Sequence, residues 1–374
     1  MKKIAAITFH HAHNFGSMLQ AYALQVYVKS LYDEIGEPVE YTIIDYYSEV
    51  QEELYGVYKS GLSVRSIVKN LVTIPYAKQL QIKHQKFEVF LAEQCCMTKR
   101  YKNKNELKDS IPEADIYISG GDQIWNVRAK DYSPVYYLNF LNDKAERISY
   151  AASFGPLKID WTKYDIDGYK ALLKKYAAIS VREPGSIENI KELTGADCSI
   201  NADPTLLLTT EQWRMLQSGA CYRDGQYILL YCLEPSKMQL KMADIISKRL
   251  KLPIVVLKYN NKNDMLNHFV KKYDSGPKDF LAYIDNAALV LSSSFHGTAF
   301  SLIYHKPFYV FNGMSDNRIS SILTRTKMIQ RSLENIEDVK KVTLEIPNIE
   351  AIQKLLDEER RASREYLRRA LKIE

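Results

Sequence analysis

The chain lacks the features that would assign it to a membrane-spanning or secreted class. No stretch of it approaches the about 20 consecutive apolar residues that a helix needs to cross a bilayer. The apolar run Ile4–Phe9 is too short for a secretory signal and leads into His10 without a small-residue cleavage site. This run is typical of a first β-strand, and we therefore expect a cytoplasmic protein.

Cysteine is scarce, with five residues among 374. The count is odd, and no two cysteines stand in a Cys-x-x-Cys pair. This usage argues against a disulfide framework or a cysteine zinc site and indicates a reducing compartment.

Several nucleotide-binding and hydrolase signatures are absent too. The chain has no GxGxxG fingerprint, no GxxxxGK[ST] phosphate loop and no GxSxG elbow. Nicotinamide chemistry, P-loop hydrolysis and ester hydrolysis are therefore disfavoured. The net charge of +6 is modest and no aromatic–basic platform stands out, so we expect no nucleic-acid partner.

Two stretches are more basic than the rest of the chain. Residues 57–86 carry several lysines and Arg65 but no acid, and residues 360–372 carry five arginines. Such runs are commonly solvated helix faces. The alternative is a surface for an anionic or lipid-linked partner.

Short apolar runs alternate with helical patterns along most of the chain. Continuous apolar runs separated by helices indicate parallel sheets that are buried on both faces. We therefore predict two doubly wound α/β domains. The predicted strands are Ile4–Phe9, Tyr41–Tyr46, Asp115–Ser119, Arg147–Ser153, Ala177–Val181, Tyr227–Cys232, Ile254–Tyr259, Leu289–Ser293 and Phe308–Phe311.

The predicted domains are an N-terminal Rossmann-like domain over residues 1–210 and a C-terminal Rossmann-like domain over residues 225–345. A helical insertion is expected in the first domain at about residues 57–107. Residues 346–374 are predicted to form one or two amphipathic C-terminal helices.

The strongest candidate site is the segment Ser292–Thr298, which follows an apolar run. A parallel strand that turns directly into a helix presents free N–H groups and the positive end of the helix dipole to an anion. Gly297 removes side-chain bulk where backbone must approach a ligand. His296 can donate or accept a proton near neutral pH. A histidine that merely caps the turn is the alternative.

Two other predicted strands end in polar or glycine residues. Arg182 follows one of them, and its guanidinium suits a carboxylate or phosphate, with an ion pair to Glu183 as the plain alternative. The segment Gly120–Gln123 follows another strand. Its paired glycines either turn N–H groups toward a ligand or form a tight turn.

The histidines near the N-terminus look like metal ligands at first sight. His10 and His11 point to opposite sides of an extended chain, and the sequence nearby offers no carboxylate or thiol partner, so we expect no metal. The helix start at Asn14–Ser17 is predicted to be an anion-facing turn or an N-cap.

Together these segments resemble the polysaccharide pyruvyl transferase family. The Asp-Gln-Ile-Trp-Asn and Ser-Phe-His-Gly-Thr segments are the most specific. Gly121 departs from the family pattern, which has serine before Asp-Gln, and this weakens any hydroxyl role there. The matching blocks, in the family's order, are Asn14–Leu24, Gly120–Asn126, Val181–Glu183, Asp203–Thr205 and Ser294–Thr298.

The resemblance implies two Rossmann-like domains facing a cleft, similar to GT-B glycosyltransferases. It also implies that the C-terminal helices within residues 346–374 pack back on the N-terminal domain. It implies a transferase of capsule or exopolysaccharide biosynthesis that uses phosphoenolpyruvate as donor and no cofactor. The enzyme would form a pyruvyl ketal on two hydroxyls of a sugar and release phosphate.

The family's key histidine and arginine correspond to His296 and Arg182. We expect His296 to be the general acid and Arg182 to hold the anions of the donor, with either Asp122 or Asp45 as base. Further donor-binding residues are expected to be Ser294, Gly297 and Thr298. Acceptor-binding residues are expected to be Asn14, Gly16, Ser17, Gly120, Gly121, Asp122 and Gln123.

Two other functions stay open on the sequence alone. A nucleotide-sugar-dependent GT-B glycosyltransferase would use the same fold, histidine and arginine, because a diphosphate needs similar groups. A non-catalytic saccharide-binding protein is an alternative of another class. A lipid-linked acceptor, peripheral contact with the inner face of the cell membrane, and the oligomeric state are also open.

Overall fold

The computed structural model describes residues 1–58, 64–259, 267–346 and 348–373. The strands are β1 (Lys2–Ile7), β2 (Val39–Tyr46), β3 (Met97–Tyr101), β4 (Ile116–Gly120), β5 (Arg147–Tyr150), β6 (Ser180–Val181), β7 (Ser199–Ile200), β8 (Ile228–Tyr231), β9 (Ile254–Val256), β10 (Val270–Lys271), β11 (Leu289–Ser292), β12 (Phe308–Phe311) and β13 (Ser332–Leu333).

The helices are α1 (Phe15–Asp33), α2 (Glu49–Tyr55), α3 (Val64–Thr73), α4 (Ala77–Gln94), α5 (Lys104–Asp109), α6 (Ile166–Leu173), α7 (Pro184–Thr194), α8 (Thr210–Leu216), α9 (Lys237–Leu250), α10 (Pro277–Asn286), α11 (Phe295–Ile303), α12 (Asn317–Arg325) and α13 (Ile349–Leu371). Among the described helices, none combines the length and apolar character that a bilayer span requires.

The chain folds into two compact units. The first comprises Met1–Tyr55, Leu91–Leu208 and Leu356–Glu374, and the second comprises Gly56–Phe90 and Thr209–Leu355. Residues 210–225, which join the two predicted domains, contain helix α8, which belongs to the second unit.

The predicted helical insertion at residues 57–107 is wrong in two respects. Gly56–Phe90 belongs to the second unit instead of the first. Residues 97–101 form strand β3, which pairs with β2 at the edge of the first sheet. The sequence hides this strand because an edge strand needs no continuous apolar run, and β3 carries Lys99 and Arg100 as exposed residues.

The first unit contains a parallel sheet with the strand order β3-β2-β1-β4-β5. Single bridges from Ile148 to Ala178 and from Ala152 to Val181 continue it toward the β6–β7 pair. This is the doubly wound order in which the chain starts in the middle and moves outward in both directions.

The second unit repeats this order as β10-β9-β8-β11-β12-β13, again with parallel pairs. Its central strands β8 and β11 have the sequences ILLY and LVLS, and their residues are buried throughout. Apolar side chains on both faces of these strands pack against helices, which is why continuous apolar runs predicted a parallel sheet. The prediction of two Rossmann-like domains is confirmed.

Helix α13 supplies its second half to the core of the first unit. Leu367 and Leu371 are buried, the Tyr366 hydroxyl donates to the Ser149 carbonyl at 2.7 Å, and the Ala202 N–H donates to Ser363 Oγ at 3.1 Å. The second half of the helix, from Leu356 onward, is therefore an integral part of the unit that contains the N-terminus.

We expect Leu367→Ala to lower the free energy of unfolding of the first unit by about 2–5 kcal/mol, because the fully buried side chain leaves a cavity. Urea denaturation measures this change. Glu365→Ala, at an exposed position of α13, is the control and is expected to stay within about 0.5 kcal/mol of the wild type. Equal effects of the two substitutions would show that α13 is not part of that core.

Candidate functional site

In each sheet, two neighbouring strands mark the place where the strand order reverses. These strands are β1 and β4 in the first unit and β8 and β11 in the second. The connections leave such a pair toward opposite faces of the sheet, so a crevice opens at the carboxyl ends, where doubly wound folds bind ligands. The candidate residues that follow β1, β4 and β11 lie at these two places, one on each unit, which we call the switch positions.

In the first unit, the turn after β1 leads into α1. Asn14 is the N-cap of this helix, and its side chain accepts a hydrogen bond from the Gly16 N–H at 3.0 Å. The N-cap prediction is therefore confirmed. Gly16 and Ser17 are buried in the first turn, and the Ser17 hydroxyl donates a short hydrogen bond to the Asp122 carboxylate. Two segments predicted to contact the acceptor thus meet.

The turn after β4 consists of two residues with left-handed backbone. Gly121 has φ +66° and Asp122 has φ +53°. The left-handed backbone at Gly121 disfavours the serine of the family pattern, and a Cβ there would also displace the Gln20 side chain, whose Oε1 lies 1.7 Å from that position. Gly120 is the buried last residue of β4, and the Gln123 N–H donates to Asp122 Oδ1 at 2.9 Å. Asp122 therefore supplies the carboxylate in the turn at the carboxyl end of β4.

Arg182 lies in a buried cluster with three carboxylates of the same unit. Its Nη1 is 2.6 Å from Asp203 Oδ2 and 3.8 Å from Asp122 Oδ1, and its Nε is 3.4 Å from Glu183 Oε2. Burial opposes the charge of the guanidinium, but the charges of Asp203, Glu183 and Asp122 outweigh it and raise the pKa of Arg182 above its ordinary value.

This environment does not favour the predicted role of Arg182 in holding the anions of a donor. Three carboxylates around one guanidinium leave negative charge in excess, which repels a phosphate or carboxylate ligand. The arginine instead fixes the position of Asp122. It also fixes Asp203, whose Oδ1 accepts hydrogen bonds from the Thr205 N–H at 3.0 Å and the Thr205 hydroxyl at 2.7 Å. We therefore treat Arg182 as a positioning residue.

A second polar cluster forms where β1 and β2 end. Asp45 Oδ1 lies 3.1 Å from His10 Nε2 and 2.9 Å from His11 Nε2. The prediction that these histidines diverge without a carboxylate partner is wrong. Strand β1 ends at Ile7, so the alternation of an extended chain does not reach the histidines, and Asp45 comes from the neighbouring strand.

The atoms of His10, His11 and Asp45 lie close enough together to hold a metal ion. The Arg100 guanidinium already stands beside them, with Nε 3.1 Å from Asp45 Oδ2 and Nη2 3.0 Å from His11 Nε2. Because this cation supplies the positive charge, we do not assign a metal to the cluster.

Asp131 is a candidate acid–base group that sequence reasoning missed. It accepts a hydrogen bond from the Tyr55 hydroxyl at 2.5 Å. Burial raises the pKa of Asp131, and the Asp122 charge adds to this effect while the Tyr55 hydrogen bond opposes it. Such a carboxyl exchanges protons closer to neutral pH than an exposed one. The sequence around Asp131 carries no signal that separates it from a surface acid.

In the second unit, β11 turns directly into α11, as predicted. Ser294 is the N-cap residue, and its carbonyl accepts hydrogen bonds from the Thr298 N–H and hydroxyl, each at 3.1 Å. His296 is the second residue of the helix and is 6% exposed. The histidine therefore lies within the first turn, where N–H groups have no acceptor inside the helix.

Gly297 allows α11 to approach the sheet. A Cβ at this position would lie 2.2 Å from Ser292 Oγ and 3.0 Å from Tyr231 Cδ1, on strands β11 and β8. The sequence predicted a glycine that makes room for a ligand. The structure shows that it makes room for these two neighbouring side chains.

Arg318 is a second residue that the sequence did not reveal. Its guanidinium carbon lies 5.7 Å from the centre of the Phe295 ring, and that ring lies 5.3 Å from the His296 ring. Asp316 holds the guanidinium through two hydrogen bonds of 2.9 and 2.5 Å. None of the sequence blocks that resemble the family contains Arg318, although the fold brings its guanidinium beside Phe295, the residue before His296.

The Asp45 cluster predicts a pH dependence of stability. Burial opposes ionisation of Asp45, but the hydrogen bonds from His10 and His11 and their charges outweigh it and hold the pKa of Asp45 well below its ordinary value. A carboxyl whose pKa is lower in the folded state stabilises the fold above about pH 4, and this stabilisation is lost as the pH falls further.

We therefore expect Asp45→Asn to be less stable than the wild type at neutral pH, by a margin that shrinks below about pH 4. Thermal unfolding of both proteins across this range measures the margin. Asp33→Asn, an exposed position at the end of α1, is the control. A margin independent of pH would contradict the ionised, hydrogen-bonded state of Asp45.

Known structures share this architecture at low sequence identity. A putative UDP-N-acetylglucosamine 2-epimerase from Listeria monocytogenes is 14% identical with a TM-score of 0.51, covering 97% of this chain and 94% of that chain. The UDP-GlcNAc 2-epimerase from Neisseria meningitidis, bound to UDP-GlcNAc, is 12% identical with a TM-score of 0.52 and complete coverage of both chains. A glycosyltransferase involved in avilamycin A biosynthesis is 8% identical with a TM-score of 0.50, covering 100% and 98%.

At these identities the likeness concerns the fold alone, which is of the GT-B type. None of the curated proteins compared with the chain matches it in sequence. The profile of one family, "Polysaccharide pyruvyl transferase", matches residues 14–313 and so includes both switch positions. The chain therefore belongs to the polysaccharide pyruvyl transferase family.

Proposed function

We propose that this protein transfers a pyruvyl group from phosphoenolpyruvate to two hydroxyls of a sugar in a surface polysaccharide or its precursor. The family indicates a transferase. The observation that carries the proposal is the position of His296, in the first turn of α11 directly after β11. There an imidazole stands at the end of a helix that favours anions.

The donor has a chemistry that suits the second unit. Phosphoenolpyruvate carries a phosphate, a carboxylate and an electron-rich methylene carbon. The first turn of α11 supplies N–H groups directly after its N-cap Ser294, and Arg318 adds a guanidinium beside Phe295. These groups would hold the two anions of the donor. The buried Thr298 holds this turn through its hydrogen bonds to the Ser294 carbonyl.

His296 would act as the general acid in the first step. It transfers its proton to the methylene carbon, which becomes a methyl group, and the adjacent carbon becomes an oxocarbenium-like centre. Fixed N–H dipoles and a cation hold the phosphate and carboxylate of the donor in place, and these anions offset the positive charge that develops on the adjacent carbon. No cofactor beyond the donor is required for this chemistry.

The second step uses the acceptor. One sugar hydroxyl attacks the oxocarbenium-like carbon and loses its proton to a carboxylate. The second hydroxyl then takes the place of phosphate at the same carbon, and its proton leaves with the phosphate. The net result is a ketal and inorganic phosphate.

For the base we favour Asp122 over Asp45. Asp122 already accepts a hydrogen bond from the Ser17 hydroxyl, and Arg182 holds the Asp122 carboxylate in place. Asp45 is enclosed by two histidines and Arg100. Ser17, Asp122 and Gln123 would contact the acceptor, whereas Asn14, Gly16, Gly120 and Gly121 shape the backbone that carries them.

His296→Ala is expected to lower the rate of phosphate release from phosphoenolpyruvate by about a hundred- to ten-thousandfold, because the step loses its proton donor. Release is measured with a panel of free hexopyranosides as acceptors. The matched control is His305→Asn, just beyond the other end of α11, where φ is +53° and asparagine is tolerated. A near-normal rate in His296→Ala would exclude the general-acid role.

Arg318→Ala is expected to weaken phosphoenolpyruvate binding about ten- to hundredfold, because a charged hydrogen-bond donor is lost. Titration calorimetry measures this affinity. Arg325→Ala, at the exposed far end of α12, is the control and should bind phosphoenolpyruvate normally.

Arg182→Ala should lower the free energy of unfolding of the first unit, since it leaves three carboxylates without their cation.

Titration calorimetry also distinguishes the proposed pyruvyl transferase from a nucleotide-sugar-dependent glycosyltransferase. Binding of UDP by the wild type, with no binding of phosphoenolpyruvate, would favour a nucleotide-sugar donor and overturn the proposal. Binding of a saccharide without any turnover of donor would instead indicate a saccharide-binding protein.

A further inference from the structure

Helix α3 and the turn that follows it expose a contiguous apolar surface, which we call the α3 face and define as Ile67, Val68, Leu71 and Ile74. These side chains are 46%, 53%, 58% and 60% exposed, respectively. Their spacing places them on one side of a helix over two turns. Single exposed apolar residues are ordinary on protein surfaces, whereas a contiguous group marks an interaction surface.

The helix that carries this face is anchored to the second unit on another side. The Tyr259 hydroxyl donates to the Val72 carbonyl at 3.0 Å, and Thr73 is buried. The Tyr76 ring packs against those of Tyr259 and Tyr273, with centroids 5.1 and 5.3 Å away. The α3 face is therefore presented by a helix that is held in place.

The charge of the surrounding segment is one-sided. Residues 57–86 contain Lys59, Arg65, Lys69, Lys78, Lys83 and Lys86 and no acidic residue. Without these six, the chain would have 45 basic and 45 acidic residues. Two of the six are engaged elsewhere in the second unit, because burial lowers the pKa of Lys83 to about 7 and Lys86 lies 2.7 Å from Asp279 Oδ2. Residues 64–78, which carry the α3 face, contain Arg65, Lys69 and Lys78 and no acid.

We propose that the α3 face docks on an anionic lipid surface. Aliphatic side chains insert among acyl chains at the membrane interface, and lysine and arginine residues are attracted to anionic headgroups. Charge disfavours a second copy of this chain as the occupant, because residues 64–78 of two copies would bring six cations together and supply no acid. The proposal goes beyond the ketal chemistry and does not depend on it, although it would bring the protein to lipid-linked saccharides.

Flotation of the full chain with vesicles tests this docking. We expect binding to vesicles that contain phosphatidylglycerol and little binding to pure phosphatidylcholine, with the difference falling as salt screens the charges. Leu71→Asp is expected to weaken vesicle binding about tenfold or more, because it puts a charge into the acyl region. Met215→Asp is the matched control at an isolated position that is 81% exposed, and it should bind like the wild type.

Circular dichroism and the phosphate-release assay with soluble acceptors should be unchanged in Leu71→Asp, which separates lost docking from lost folding. Equal vesicle binding by Leu71→Asp and the wild type would overturn the proposal. Equal binding of the wild type to phosphatidylglycerol vesicles and to pure phosphatidylcholine vesicles would also overturn it. A concentration-dependent dimer that Leu71→Asp dissociates, without vesicle binding by the wild type, would assign the α3 face to a second copy instead.

Discussion

The parallel pairing of the middle strands in each sheet is the constraint on which the candidate sites depend. The register pairs Ile7 of β1 with Ser119 of β4, and Tyr231 of β8 with Ser292 of β11. The strand ends are therefore level, and loops distant in sequence meet. A shift of one residue would turn every side chain of a strand to the opposite face and abolish this alignment.

The two switch positions differ in the charge that they offer. In the first unit, Asp122 stands with Glu183 and Asp203 around a single buried Arg182. In the second unit, His296 lies in a helix first turn, with Arg318 beside the preceding phenylalanine. Carboxylates suit the deprotonation of a sugar hydroxyl, whereas N–H groups and a guanidinium suit a donor with two anionic groups. The proposed division of roles follows from this difference.

Much of this arrangement was predictable from local sequence patterns. The apolar run before Ser292–Thr298 predicted β11 and the helix start, and Asn14 predicted a cap, because both depend on residues within one turn. The double Rossmann-like fold was predictable because parallel strands buried on both faces require continuous apolar runs.

The predictions from sequence failed where contacts between segments distant along the chain determine the local structure. The polar strand β3 exists because β2 offers it an edge. His10 and His11 find Asp45 in another strand, 34 or 35 residues away along the chain. The neighbours of Arg182 and Arg318 are likewise set by the fold. Residue type alone indicated that Arg182 could hold an anion, but not that acids already surround it.

In the proposed reaction, a solvent-exchangeable group of this protein protonates the methylene carbon of phosphoenolpyruvate. The most direct test is the reaction in heavy water, with mass spectrometry of the pyruvylated sugar. Transfer of the proton from His296 predicts one deuterium in the methyl group of every ketal formed, because the imidazole N–H exchanges with solvent. A ketal methyl without deuterium, or a product that carries a sugar instead of a pyruvyl group, would contradict the account.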